Sequence, residues 1–449
     1  MRRIRSVSEL VAATPRTRDR YVDFLRAASI LVVMLGHWFM AVAERRSGTW
    51  HVSNLISELD GLWIATWLLQ VMPVFFFVGG FSNLVTLDSM ARTGAGYAAF
   101  VSGRTWRLMK PVLILLAIWL PLVSAAQVTE VVDIADLRLV STAVSQPLWF
   151  IGIYLIVTGL APPMRRLHRR FGVAIPVGLA VGAIAVDVAR FALGVPLVGY
   201  LNFGFVWLFA HQLGFFYADG RLIGVGRGWL AAAAVSGLVA LWGLTHFGPY
   251  PRSMVGLPGD LVSNMNPPTA CLIALATWQA SLLMLVRGRA ARWLERPRPW
   301  GTVIALNSVI MTMFLWHLTS LVAVVATASA LGIPQYGAGS VAWWLTRIPW
   351  MAVLAVVTSV FVALFGRFER PGVAAPRQAS VPVDWSAAVG VTLVITGVCG
   401  FAVSGLTDFV APEGRVLAGL PVSPLINCVA VAAGGILFRI SRTGVPDRR

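Results

Sequence analysis

Charged side chains are scarce in this chain of 449 residues: 12% are Asp, Glu, Lys or Arg against 57% apolar, roughly half the charge of an average soluble protein. With a mean hydropathy of +0.77, that deficit excludes soluble, disordered, collagen-like and coiled-coil classes. Three cysteines are too few for a disulfide scaffold; Cys271, Cys399 and Cys428 all fall in or at apolar segments and read as small packing residues. Lysine is nearly absent, Lys110 standing alone against 35 arginines, which reads as the codon bias of a GC-rich genome. The formal charge of +17 is scattered along the chain rather than gathered into a basic, aromatic-laced patch, so no nucleic-acid partner is expected. Neither a soluble domain of useful size nor an internal repeat is legible.

What the chain has in quantity is long apolar runs. A helical span needs about 20 mostly apolar residues. Twelve segments qualify: 22–43, 62–86, 111–127, 147–162, 172–193, 200–217, 228–246, 268–286, 303–329, 341–365, 388–407 and 423–438. The expected fold is therefore an all-α, polytopic membrane helical bundle embedded in a lipid bilayer. Counting Lys and Arg in alternate gaps gives 28 in the two tails and the even-numbered loops, against 6 in the odd-numbered loops. By the positive-inside rule both termini face the cytoplasm. The stretch 367–387, with Pro371, Pro376 and Pro382 among charges, reads as a cytoplasmic linker. The chain then divides into a basic tail (1–20), a membrane core (21–366), that linker, and a transmembrane hairpin with its tail (388–449). A rival reading makes the first span a secretory signal cleaved after Ala41-Val42-Ala43. A histidine in its apolar region and the length of the leader argue that the span is retained.

An ionisable group inside a span is costly unless it is paired or lines a wet cavity, so each one is a functional hypothesis. The first span holds Asp23, Arg26 and His37. The eleven residues from Arg26 to His37 return almost to the same helix face, about 16 Å further along the axis, and Asp23 precedes Arg26 by one turn. Arg26, near the cytoplasmic end, suits an anionic group or a developing oxyanion. An imidazole in apolar surroundings favours its neutral, proton-accepting form, which suits His37 to a base. The residues leave open whether His37 takes a proton or itself carries a transferred group.

The ordered set Asp23-Phe24-Leu25-Arg26, then ten residues and His37, resembles the D-x-x-R and R-x10-H signature of the acyltransferase family 3 membrane proteins. Pro73-Val74-Phe75-Phe76-Phe77-Val78-Gly79-Gly80-Phe81 is similar to that family's P-x-F-F-x-x-S-G-F segment, with Gly79 where serine is usual. Arg104-Thr105-Trp106-Arg107-Leu108, Trp149-Phe150 and Leu315-Trp316-His317 follow in the family's order. The resemblance covers about residues 20–366 and implies an O-acyltransferase. It would move an acyl group, acetyl first, from acyl-CoA as co-substrate to a hydroxyl of a carbohydrate, glycolipid or secondary metabolite, with no bound cofactor and no metal. On this reading His37 is the base, Arg26 and Asp23 complete the catalytic group, and His317 is a candidate second histidine. Arg104, Arg107, Gly79, Gly80 and Asn83 would receive acyl-CoA on the cytoplasmic side. His211 with Gln212 is a weaker candidate, while His51, His168 and His246 take no role. The Gly-, Pro- and Asn-rich outer loop 247–267 is a candidate cover for the acceptor. The hairpin 388–438 exceeds the ten-helix core, and the esterase-like domain fused to some relatives is absent. A multi-pass protein of a bacterial plasma membrane is the expected setting. A solute or lipid-linked-glycan transporter without acyl transfer is the rival from another class, though no repeated halves support it.

Overall fold

The computed structural model describes residues 7–369, apart from 16, 47, 48 and 258, and residues 384–443, apart from 411–414 and 418. Most of the expected linker 367–387 therefore lies outside the described residues. A short helix α1 (Val7–Ala12) leads to α2 (Arg20–Met40), whose first turn is closed by Asp19 accepting from the Val22 amide at 3.1 Å. An antiparallel hairpin, β1 (Ala41–Arg46) and β2 (Thr49–Asn54), pairs Ala41 with Asn54. The Ala41-Val42-Ala43 segment is thus part of a strand. Then come α3 (Leu55–Glu58), α4 (Trp63–Leu69), α5 (Met72–Arg92), α6 (Tyr97–Thr129), α7 (Ile134–Ser145), α8 (Pro147–Phe171) and α9 (Ala174–Phe191). The chain continues through α10 (Asn202–Ala218), α11 (Arg227–Phe247), α12 (Ala270–Trp293), α13 (Pro297–Asn307), α14 (Ile310–Ala330) and α15 (Val341–Phe365). It closes with α16 (Asp384–Ser404), two paired two-residue strands, β3 (Val416–Leu417) and β4 (Leu420–Pro421), and α17 (Pro424–Thr443).

Among the described residues, ten helical stretches are long and apolar enough to cross a membrane. The chain is an all-α polytopic bundle, as its apolar runs imply. The two remaining expected spans are α10, of 17 residues, and α17. Helix α10 is packed inside the bundle against α5, α8 and α9. Several expected boundaries move. Helix α6 runs for 33 residues, about 50 Å at 1.5 Å per residue, against a hydrocarbon layer of about 30 Å. Its first turns, with Arg104 and Arg107, extend the helix where the sequence suggested a loop. The expected span 303–329 is broken between α13 and α14, and 62–86 between α4 and α5. The span expected to end at 162 continues to Phe171 through Pro162 and Pro163.

Small residues set the closest crossings, as they do where lipid-like side chains offer little hydrophobic drive between helices. Gly80 of α5 lies against the backbone of His211 and Gly214 on α10, and Gly214 faces the Phe77 carbonyl in return. Phe76 stacks on Trp207 across the same pair at 4.7 Å. The final hairpin is part of the bundle: α16 packs on α8 and α6, Gly152 sits against Cys399, and Asp384 accepts from the Ala98 amide at the start of α6.

Candidate active site

Two histidines from opposite ends of the chain meet. His37 Nδ1 lies 2.8 Å from His317 Nε2, and the ring centroids are 5.1 Å apart with planes within 17°. With the nitrogens so much closer than the centroids, the rings meet edge to edge in nearly one plane. His317 Nδ1 is 2.5 Å from the Phe314 carbonyl oxygen, which can only accept. The hydrogen-bond network therefore assigns the protons. His317 Nδ1–H donates to Phe314, its Nε2 accepts from His37 Nδ1–H, and His37 Nε2 is left with a lone pair. His317 is fully buried, whereas His37 is partly accessible. Among the described residues nothing hydrogen-bonds His37 Nε2.

The local fold fixes both rings. His37 stands in the last turn of α2, while His317 is eight residues into α14. Their contact puts the two rings at the same depth in the bundle. Trp38 Nε1 donates to the His317 carbonyl at 3.0 Å, and Trp350 Nε1 donates to the Trp38 carbonyl at 3.0 Å. The start of α14 is capped by Glu369, which accepts from the Met311 and Thr312 amides and the Thr312 hydroxyl, each at 2.9 Å. Burial lifts the Glu369 carboxyl above the usual carboxylate range, the three hydrogen bonds and nearby Arg107 opposing it.

At the other end of α2, Asp23 is buried and holds two guanidinium groups. Arg26 Nη1 is 3.1 Å from Oδ1, and Arg18 Nε is 2.6 Å from Oδ2. Arg104 donates to the Ser82 carbonyl at 2.8 Å and to the Thr86 hydroxyl at 2.5 Å, which anchors it to α5. Arg26, Arg107 and Tyr154 each lie close enough to Arg104 for their charges to act on it. Arg107 is exposed. The three arginines singled out from the sequence thus converge at the basic end, about 16 Å along α2 from His37.

Three expected ligand residues go elsewhere. Gly80 is consumed by the α5–α10 crossing, and Gly79 packs under the Tyr154 ring. Asn83 is fully buried, and its amide nitrogen lies 3.1 Å from His211 Nε2. For these residues, close approach is to protein. The outer loop 247–267 spends its polar groups internally: Asn264 donates to the Pro251 and Ser253 carbonyls, and Trp67 donates to the Arg252 carbonyl. His168, given no role from sequence, is buried within α8. It bonds Gln212 at 2.9 Å and Asp219 at 3.0 Å. Arg18, Tyr154 and Glu369 also join the surroundings of the site unannounced, since none belongs to a legible motif. Among the described residues no group of three or more His, Cys, Asp or Glu side chains could hold a metal ion.

Comparison with known proteins returns one family: the model described as an acyltransferase domain matches residues 19–367. No curated protein and no solved structure matches the chain.

Proposed function

The chain belongs to the acyltransferase domain family, and from that premise we propose that it is a membrane O-acyltransferase taking its acyl group from acyl-CoA. The acyl group is acetyl, and the acceptor is a hydroxyl of a carbohydrate, glycolipid or secondary metabolite. The observation that carries this reading is the His37–His317 pair. Its hydrogen bonds leave one accessible lone pair, on His37 Nε2, at the end of a fixed chain of donors.

The acceptor hydroxyl gives its proton to His37 Nε2 as its oxygen attacks the thioester carbonyl. The C–O bond forms, the C–S bond breaks, and the departing sulfur recovers the proton from His37 as CoA thiol. While His37 carries the extra proton, its Nδ1–H to His317 becomes a charge-assisted bond, which steadies the imidazolium. Arg26, Arg104 and Arg107 face the cytoplasm, where guanidinium groups bind CoA phosphates bidentately. Asp23 fixes Arg26. The pantetheine arm spans the distance along α2, so that donor and acceptor reach His37 from opposite sides of the plasma membrane.

Mass spectrometry of envelope glycans and lipids from cells with the protein, without it, and with His37→Ala tests the reading. Acyl mass increments should be present only with the wild-type chain. Identical glycan and lipid profiles in all three would overturn it.

A further inference from the structure

At the end of the bundle opposite the arginine cluster, β1, β2, α7, the later turns of α14 and the first half of α15 line a half-open cavity of about 620 Å³. Ala41 and Leu321 are among its walls. They stand four residues beyond His37 and His317, so the cavity begins about 6 Å past the histidine pair. Trp350, also in the wall, is tied to the pair through the Trp38 carbonyl. No residue of the loop 247–267 lines this cavity.

The walls are mostly Val, Leu, Ala and Trp, yet they contain Arg347. Its guanidinium lies 4.1 Å from the Trp343 ring centroid and 5.1 Å from that of Trp350. Nε and Nη1 are buried without a hydrogen-bond partner. Two indole faces hold the cation but leave those N–H groups unused, a costly arrangement that an anionic acceptor would relieve. Residues 343, 347 and 350 share one face of α15 and turn it to the cavity. Val341, Leu345 and Ile348 are 75%, 73% and 82% exposed, which marks the other side of α15 as facing lipid. Glu44 and Asp136 also line the cavity. Carboxylates there accept from hydroxyls and disfavour a ligand that is anionic throughout.

We propose that this cavity binds a lipid-linked acceptor through a single phosphate seated on Arg347. Its apolar chain lies along the apolar walls and its neutral, hydroxyl-bearing portion points toward His37. Calling the ligand an acceptor rests on the acyl-transfer reading; the binding itself does not.

The test uses the full chain, purified in a neutral maltoside detergent, with a long-chain alkyl phosphate, the matching alkanol and inorganic phosphate as probes in native mass spectrometry and calorimetry. The alkyl phosphate should bind at least about tenfold more tightly than either of the others, as expected for a charge-assisted contact. Arg347→Gln should abolish that preference, and Arg347→Lys, which keeps the cation and its stem, should retain it in weakened form. Inorganic phosphate binding as tightly as the alkyl phosphate would overturn the lipid assignment. An unchanged preference in Arg347→Gln would overturn the site. If Arg347→Gln does not fold, the lysine variant decides: loss of the preference with the cation retained overturns the site. Release of CoA from acyl-CoA by the wild-type protein is measured alongside. Its absence would sink the acyl-transfer reading and leave the phosphate site untouched.

Discussion

His37 Nδ1 and His317 Nε2 lie 2.8 Å apart across 280 residues of sequence, and the direction of that bond decides which nitrogen of His37 is free. Because the Phe314 carbonyl occupies His317 Nδ1, His317 can only accept from His37, and the lone pair is forced onto His37 Nε2. In the proposed mechanism the two histidines therefore have unequal parts: one presents the base and the other sets its tautomer.

His37→Ala should leave the protein folded and lower acyl transfer by about 10²–10⁴-fold, the usual worth of a general base. His37→Gln, which hydrogen-bonds but cannot take up the proton, should fail equally. The measurement is CoA release with purified acyl-CoA and acceptor. Normal turnover by the glutamine variant would reduce His37 to a packing residue.

In the proposed mechanism His317 is a positioning residue, and its variants should separate position from packing. His317→Ala frees the His37 ring to change tautomer and should cost at least about tenfold in kcat, with KM little changed. His317→Gln offers an amide oxygen to His37 Nδ1–H and should recover much of the loss. Equal losses in both variants, with an unaltered pH profile of kcat, would show that only ring volume matters.

On the donor side, Arg107 is exposed while Arg104 is anchored to Ser82 and Thr86. Each alanine substitution should weaken acyl-CoA binding by about 1.5–3 kcal/mol if the guanidinium meets a phosphate. An uncharged short thioester should feel the change less. Loss of the same size for both donors would assign these arginines to folding or topology.

The polar stripe of α2 was legible because charge in an apolar run has few bland explanations, and the order of Arg26, Arg104 and Arg107 along the chain matched a known pattern. Where Gly79, Gly80 and Asn83 point was not legible. A small residue permits close approach, but sequence does not say whether a ligand or a helix makes it, and here Tyr154, α10 and His211 do. His168 was missed because Arg165, Arg166, Arg169 and Arg170 around it read as a basic inner loop. Packing of α8 in the bundle carries the helix through them. The twelve apolar runs gave the all-α class, whereas the breaks at Gln70 and Ser308 depend on tertiary contacts that no local pattern records.

The α5–α10 crossing yields a stability test. A Cβ on Gly80 would meet the backbone of His211 and Gly214, whereas one on Gly178 of α9 meets open space. Gly80→Ala should destabilise the protein by about 1–3 kcal/mol through overpacking, and Gly178→Ala should be neutral or mildly stabilising. Thermal unfolding in detergent compares them. Equal midpoints would mean that the helices separate without cost.

Glu369 provides a test that combines capping with pH. Glu369→Ala strips three donors at the start of α14 of their acceptor, and leaving buried donors unpaired costs about 1–3 kcal/mol. Since His317 lies less than two turns further on, activity should fall with stability. The pH dependence follows from the direction of the shift. The folded protein holds the Glu369 proton more tightly than the unfolded chain does, because burial raises its pKa above the ordinary 4.5. Its contribution is then complete below that ordinary value and is lost as pH rises through the elevated one. Glu369→Gln does not titrate, so the wild-type advantage in unfolding temperature over this variant should be greatest in mild acid and shrink toward neutrality. An advantage that instead grows with pH would mean that the hydrogen bonds to the ionised carboxylate outweigh its burial.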